Sequence, residues 1–264
     1  MSLNVAIITS SAWGSAAHHL PVLLREAENY RISTVLLNTA STPKNGRWAK
    51  RKIKKILNIG PLGALIGWRM RQWYTSDVSD LLNMTSMDST AASSKLALHR
   101  IDGLNSRAMQ EALETCGADV AISLGNGFIA PRIFSTPRFG MLNVHHEELP
   151  KFRNAQSVIW QLHEGSSQSG YTIHEVTRQI DGGRILKKGS QPIHFKDTLR
   201  KTVSCTYAAI WDAAALGLVD VLNAFNTHLE NATEQGKGDH FTTPTYRQYR
   251  RIQSEWKRLK AQPK

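Results

Sequence analysis

Cysteine is almost missing from this chain of 264 residues, which has two, Cys116 and Cys205. Neither stands at a metal-ligand spacing, and both fall in apolar, helix-like contexts. They read as reduced core residues, which excludes a disulfide framework and a cysteine-based zinc site. Long apolar runs are scarce as well: no stretch by pattern reaches the ~20 residues of a membrane-crossing helix. The opening MSLNVAIITSS lacks the basic start and cleavage signature of a secretory signal. The expectation is a cytoplasmic protein with no transmembrane segment. Acidic residues are in deficit, 21 Asp and Glu against 33 Lys and Arg, a formal net charge of +12. That excess favours an anionic partner, whether nucleic acid, a phosphorylated small molecule or acidic lipid, without choosing among them.

What is present is a globular composition, 41% hydrophobic and 20% charged, long enough for one large α/β domain or two small ones. Asn4–Thr9 is a short apolar strand, Ser10–Ser15 a small-residue turn and Ala16–Ala27 a helix. A strand, a Gly/Ser turn and a helix N-terminus can together hold an anion on backbone N–H groups. At Gly14-Ser15 an ordinary βα turn is the preferred reading. Arg31–Asn38 is a second strand. Ser41–Asp80 departs from this rhythm with Lys44, Arg47, Lys50, Arg51, Lys52, Lys54 and Lys55, followed by the apolar Ile56–Trp68. Ile53, Ile56 and Leu57 recur at helical spacing, so the segment reads as an amphipathic basic helix broken at Gly60-Pro61. A solvated basic face is the simplest account, ahead of a lid over an anionic acceptor and of docking on a membrane or RNA. Met84–Leu96 is polar and reads as a loop. Asn105 or Ser106 caps a helix carrying Met109, Ala112, Leu113 and Cys116 on one face. Asp119–Leu124 is a strand entering the turn Gly125–Pro131.

The most informative stretch is Gly140–Gly183. A buried strand ends near Val144, and Asn143 and His145, two apart, leave the same face of extended backbone. Leu149-Pro150 ends the extended run. Ala155–Glu164 has helical spacing with Gly165 as its stop. Gly170–Val176 alternates as a strand with Thr172, His174 and Val176 on one face, and a loop with Asp181, Gly182 and Gly183 follows. An amide, two imidazoles and a carboxylate at strand ends are the usual geography of an α/β active site. Gly183–Ile193 reads as a further strand, and Asp197–Phe225 as a long helix capped by Asp197 or Thr198. The tail, with Arg247, Arg250, Arg251, Lys257, Arg258, Lys260 and Lys264, reads as a solvated basic helix.

Asn143-x-His145, Leu149-Pro150, Gly170-x-Thr172-x-His174 and Asp181-x-Gly183, in that order and spacing, resemble the folate-dependent formyltransferases. The resemblance is close over about 119–192 and holds only in outline toward the N-terminus. It implies an α/β fold, a doubly wound, mostly parallel, Rossmann-like sheet, here with a basic helical insertion at about 41–80. Residues 1–230 would form the catalytic domain and 231–264 a basic tail. It implies 10-formyltetrahydrofolate as formyl donor, Asn143, His145 and Asp181 as the catalytic triad, and His174 as a supporting residue. Gly125, Phe128, Ile129 and Ala130 would form one wall of the folate pocket, with Thr177 and Gly182 also on the donor side. No metal is required. A polyglutamylated folate is a further anion that would suit the charge.

His146, Glu147, Glu148 and Asn154 depart from the family pattern on the acceptor side, which bears on the substrate more than on the reaction. The leading acceptor is a small anionic amine, an amino sugar on a nucleotide carrier. Methionyl-tRNA and glycinamide ribonucleotide are alternatives, as is water in a formyltetrahydrofolate hydrolase. No stable nucleic-acid partner is expected, with tRNA as the exception, and a homodimer is left open. The non-catalytic alternative is an RNA- or membrane-surface-binding protein.

Overall fold

The computed structural model describes residues 2–40 and 46–262; Ser41 and Lys44 of the expected insertion and Lys264 of the tail lie outside them. The chain begins with β1 (Leu3–Thr9), α1 (Ser15–Arg25) and β2 (Tyr30–Asn38). It continues with α2 (Gly46–Met70), a 3-10 turn (Arg71–Tyr74), α3 (Ser76–Leu81), α4 (Met87–Ser93) and β3 (Ala97–Ile101). Then come α5 (Arg107–Cys116), β4 (Val120–Leu124), α6 (Pro131–Phe134), β5 (Met141–His145), β6 (Phe152–Arg153), α7 (Ile159–His163), β7 (Gln168–Glu175) and β8 (Ile185–Pro192). The last elements are α8 (Leu199–Asn223), α9 (Phe225–Glu230), β9 (Asp239–His240) and α10 (Tyr246–Lys260).

Seven strands form one sheet in the order β3-β2-β1-β4-β5-β7-β8. The pairs from β3 to β5 are parallel, and the β5–β7 and β7–β8 pairs are antiparallel. The sheet is covered on both sides, so β1 is apolar from Val5 to Ile8. Val5 and Ile7 pack with α1 and α8, while Ala6 and Ile8 pack with Met109, Leu113 and Ile133 of α5 and α6. The strand order reverses between β1 and β4, and the loops after these two strands open a crevice at their C-terminal ends. This is the mostly parallel α/β architecture that the sequence implies.

The structure adds elements that the sequence reading left unassigned, among them the sheet strand β3, and it differs outright at two stretches. Met84–Leu96, expected as a loop, contains α4. Ser86 accepts the Ser89 N–H as N-cap, and Met87, Thr90 and Ala91 bury one face. Three small or apolar contacts, too few to show as periodicity, are enough to fix two turns once a core is present. The helix expected over Ala155–Glu164 shrinks to α7, because Val158 takes φ +70°, outside the helical region. Elsewhere the signals held. Gly60 breaks α2 at φ +73°, Ser106 caps α5, Thr198 caps α8, and Gly165 takes φ +72° beyond α7.

α8 is long and apolar enough to cross a membrane by length and composition. Here it buries Val203, Ile210, Ala214, Leu218 and Val221 in the core. The end of the chain returns to the body. β9 pairs in parallel with β6, Trp160 donates to the Thr242 carbonyl (3.1 Å), and Trp256 of α10 donates to Thr202 Oγ1 (3.0 Å). Thr245 and Gln248 close a capping box at the start of α10, whose Ile252 and Leu259 are buried. The tail helix is therefore solvated on one face only.

Candidate active site

β5 and β7 are antiparallel partners, and their register sets Asn143 opposite His174 and His145 opposite Thr172. Cross-strand neighbours bring side chains close, and Asn143 Nδ2 lies 3.2 Å from His174 Nε2. His174 Nδ1 lies 2.8 Å from the Glu175 carbonyl. A carbonyl only accepts, so Nδ1 carries the proton and Nε2 accepts from the Asn143 amide. Burial pushes the His174 pKa down to about 4; His145 lowers it further and Asp181 opposes the shift. The imidazole is thus neutral at physiological pH, which agrees with that tautomer.

His145 Nε2 donates to the Phe152 carbonyl at 3.0 Å. Asp181 enters from the loop after β7, held at φ +50°. Its Oδ2 accepts the Asn154 backbone N–H at 3.0 Å. Its two oxygens lie 3.9 Å from His145 Nε2 and 3.8 Å from His174 Nε2. These spans exceed a direct hydrogen bond and are the reach of a close ion pair or a single bridging water. Asn154, at φ +52°, uses its side chain to donate to the Phe241 carbonyl, so residues near the C-terminus help fix the carboxylate.

These four side chains border one cavity of about 1380 Å³. Its walls come from both crevice loops: Ser11, Trp13, Gly14 and Ser15 after β1, and Gly125–Ile129 after β4. Gly125 takes φ +70°, a conformation that favours glycine there. Of the residues expected to hold a donor, Gly125, Phe128, Ile129 and Thr177 line the cavity. Ala130 and Gly182 do not. Ala130 caps α6 and gives its N–H to Asn105 Oδ1, while Gly182 turns back to donate to the Gln179 carbonyl.

The cavity also has walls whose part the sequence reading did not assign. Tyr74 comes from the 3-10 turn, and Tyr207 and Trp211 from α8. Their i, i+4 spacing reads equally well as core packing, so no sequence signal separated the two. His146 and Glu147 follow β5 directly. His146 lies 5.6 Å from both Tyr207 and Trp211, ring to ring, and burial holds its pKa at about 3. His19, fully buried beside it, is pushed well below the usual histidine range by desolvation and the neighbouring imidazoles. Glu147 is buried as well, which pushes its carboxyl well above the usual range. Gln161 Nε2 donates to its Oε2, and its Oε1 has no partner. This end of the cavity is therefore aromatic, and burial disfavours charge on its titratable side chains. The lining also includes Lys52, Lys55 and Arg71.

The formyl transferase family model matches residues 77–221, more than half of the chain. Over 160 residues the chain is 26% identical to the methionyl-tRNA formyltransferase of Thiobacillus denitrificans, covering 60% of this chain and 50% of that one. The chain spans about half the length of the curated relatives it matches. Glycinamide ribonucleotide transformylase 1 from Symbiobacterium toebii shares the fold with a TM-score of 0.59 at 15% identity, over 90% of this chain and 92% of that one. An N-formyltransferase from Helicobacter canadensis, solved with folinic acid and dTDP-3-aminofucose, has a TM-score of 0.51 at 14% identity, over 90% and 70%.

Proposed function

The chain belongs to the formyl transferase family, and from that premise we propose that it moves a formyl group from 10-formyltetrahydrofolate to the primary amine of a small acceptor, acting in the cytoplasm. The observation that carries this reading is the convergence of Asn143, His145, His174 and Asp181 on one cavity wall. The cavity's size supports it: about 1380 Å³ exceeds the ~300–1,000 Å³ of a single-ligand pocket and leaves room for two substrates. Gly125, Phe128, Ile129 and Thr177 would hold the folate.

The reaction joins the amine nitrogen to the formyl carbon and breaks that carbon's bond to the folate N10. The amine gives up a proton and N10 takes one. Asn143 spends one amide N–H on His174 Nε2 and has the second for the formyl oxygen. Neutral His174 thereby acts as an orienting group that fixes the amide. His145 Nε2 is committed to the Phe152 carbonyl, so its second ring nitrogen, when protonated, donates to the oxyanion as the tetrahedral carbon forms. Asp181 faces both imidazoles and receives the proton of the amine through the bridging position. No bond between enzyme and formyl group is needed.

For the acceptor we infer an amino sugar on a nucleotide carrier. Support comes from the similarly folded Helicobacter canadensis enzyme, which holds an amino-sugar nucleotide, and from the Lys52, Lys55 and Arg71 rim, which suits a diphosphate. Methionyl-tRNA is the second reading, favoured by the sequence relatives and the +12 charge. The test is tetrahydrofolate release from 10-formyltetrahydrofolate with amino-sugar nucleotides, glycinamide ribonucleotide, methionyl-tRNA or water alone. Release should require one amine and fall by about 10²–10³ in Asp181→Asn. Release without an amine would replace the transferase with a hydrolase, and no turnover at all would remove the catalytic reading.

A further inference from the structure

From Lys50 to Asn58 every residue of α2 is exposed. A helix of this length has little stability alone in water, and helices of folded proteins are normally held by a buried face. Here Ile53, Ile56 and Leu57 stand 58%, 37% and 76% exposed on one side of the helix. Lys50 and Lys54 border that stripe on one side and Lys52 on the other, and Arg51 and Lys55 occupy the far face. Beyond the break at Gly60, the second half of α2 seats Gly63 and Met70 on the body and turns Leu62, Leu65 and Trp68 outward. No acidic residue occurs from Gly46 to Met70. Single exposed apolar side chains are ordinary; six of them on one element, with five cations packed between Lys50 and Lys55, are an unpartnered surface.

We propose that α2 docks this protein on an anionic lipid bilayer. An apolar stripe bordered by lysines matches the bilayer interface, where cations sit among headgroups and apolar side chains lie against the acyl boundary. A second copy of the chain would set the same cations against each other. RNA would satisfy the cations and leave the leucines, isoleucines and Trp68 in water. Lys52, Lys55, Ile56 and Trp68 also line the cavity, so docking sets the cavity's rim at the lipid surface. Docking itself is independent of the reaction assigned above; its consequence, an acceptor amine delivered from the membrane interface, rests on that reading.

The experiment is sedimentation of the full chain with phosphatidylcholine vesicles, with and without phosphatidylglycerol. Binding should need phosphatidylglycerol and weaken as salt is raised. Two double variants, Leu57→Glu with Leu65→Glu and Lys50→Glu with Lys54→Glu, touch no cavity-lining residue. Each should lose at least about tenfold in vesicle binding while keeping the wild-type circular dichroism and tetrahydrofolate release. Brominated phosphatidylglycerol should quench tryptophan emission in the wild type and quench less of it in Trp68→Phe. The proposal is overturned by no binding to phosphatidylglycerol, by equal binding to both vesicles, or by variants that bind as well as wild type. Self-association or RNA binding that disappears in the variants would likewise replace it. Vesicle binding without folate turnover would leave docking standing and sink only the reaction.

Discussion

At position 147 the chain buries a carboxyl that accepts a hydrogen bond from Gln161 at one oxygen and, among the described residues, has no close donor at the other. Desolvation raises its pKa, and the donor from Gln161 only partly offsets that. The folded protein therefore holds a proton that the unfolded side chain releases near its ordinary value of 4.5. Stability from this group is fully present below pH 4.5 and is lost as pH rises above it. Glu147→Gln keeps the shape and removes the titration. In urea melts the variant should be more stable than wild type at pH 7, with the difference vanishing toward pH 4. Retaining a carboxyl here against its own stability is what a cavity-facing contact to the acceptor would explain. A KM for the amine that rises in Glu147→Gln with kcat unchanged would show that contact. Asn143 and His174 lie at the other extreme. Each satisfies the other, and a neutral imidazole is the state that burial prefers.

Elements decide where Asp181 stands. β7 and β8 are joined by the loop 176–184, and at its base, where the chain returns, Glu175 N–H donates to the Arg184 carbonyl at 2.9 Å and the Arg184 guanidinium grips the Glu175 carboxylate at 2.6 and 2.9 Å. Gly183 fits inside that return only because it has no side chain: a Cβ would lie 2.0 Å from the Glu175 carbonyl oxygen. Gly183→Ala must part the strands and shift the loop that carries the carboxylate. The expected outcome is a loss of about 2–3 kcal/mol in denaturant melts, with kcat reduced more than KM. An unchanged kcat would mean that Asp181 takes its place independently of this return. The sequence marked the elements here well, since alternation, caps and glycine stops are local signals. It missed α4 and overextended α7, where the deciding facts, a buried Met87 and a left-handed Val158, arise from packing between distant segments.

For the molecule as a whole, burial of histidine sets the response to acid. His19, His146 and His174 all titrate below their ordinary value, to about 3 for His146 and about 4 for His174. Unfolded histidines take up protons near pH 6.5 while the folded ones stay neutral. Stability is therefore full above pH 6.5 and is lost as pH falls toward 4 and then 3. This slope opposes that of Glu147, so the stability curve should have a maximum between the two regimes. His146→Asn should flatten the acid limb between pH 6.5 and 3 by close to one proton, read from the pH dependence of unfolding free energy. An unchanged limb would show that His146 is not the buried neutral group described here.

By itself the sequence indicated the class of fold and most of the elements, and its resemblance to a known family supplied the catalytic candidates. Strand periodicity and helix caps are written within a few residues, and Asn143, His145, His174 and Asp181 fall within one stretch of the chain, Gly140–Gly183. The resemblance already pointed to Gly125, Phe128 and Ile129 on the donor side and to His146 and Glu147 on the acceptor side; the tertiary structure alone added Tyr74, Tyr207 and Trp211. Tyr74, Tyr207, Trp211, His146 and Glu147 come together only when α8 and the 3-10 turn pack over the end of β5, and an aromatic pair at i, i+4 looks the same whether it fills a core or borders a cavity. It also separated the two basic helices. α10 has a buried face because residues distant in sequence meet it, whereas α2 between Lys50 and Asn58 is met by none of the described residues closely enough to be covered. Burial is a property of pairs of segments, and a pattern within one segment cannot specify it.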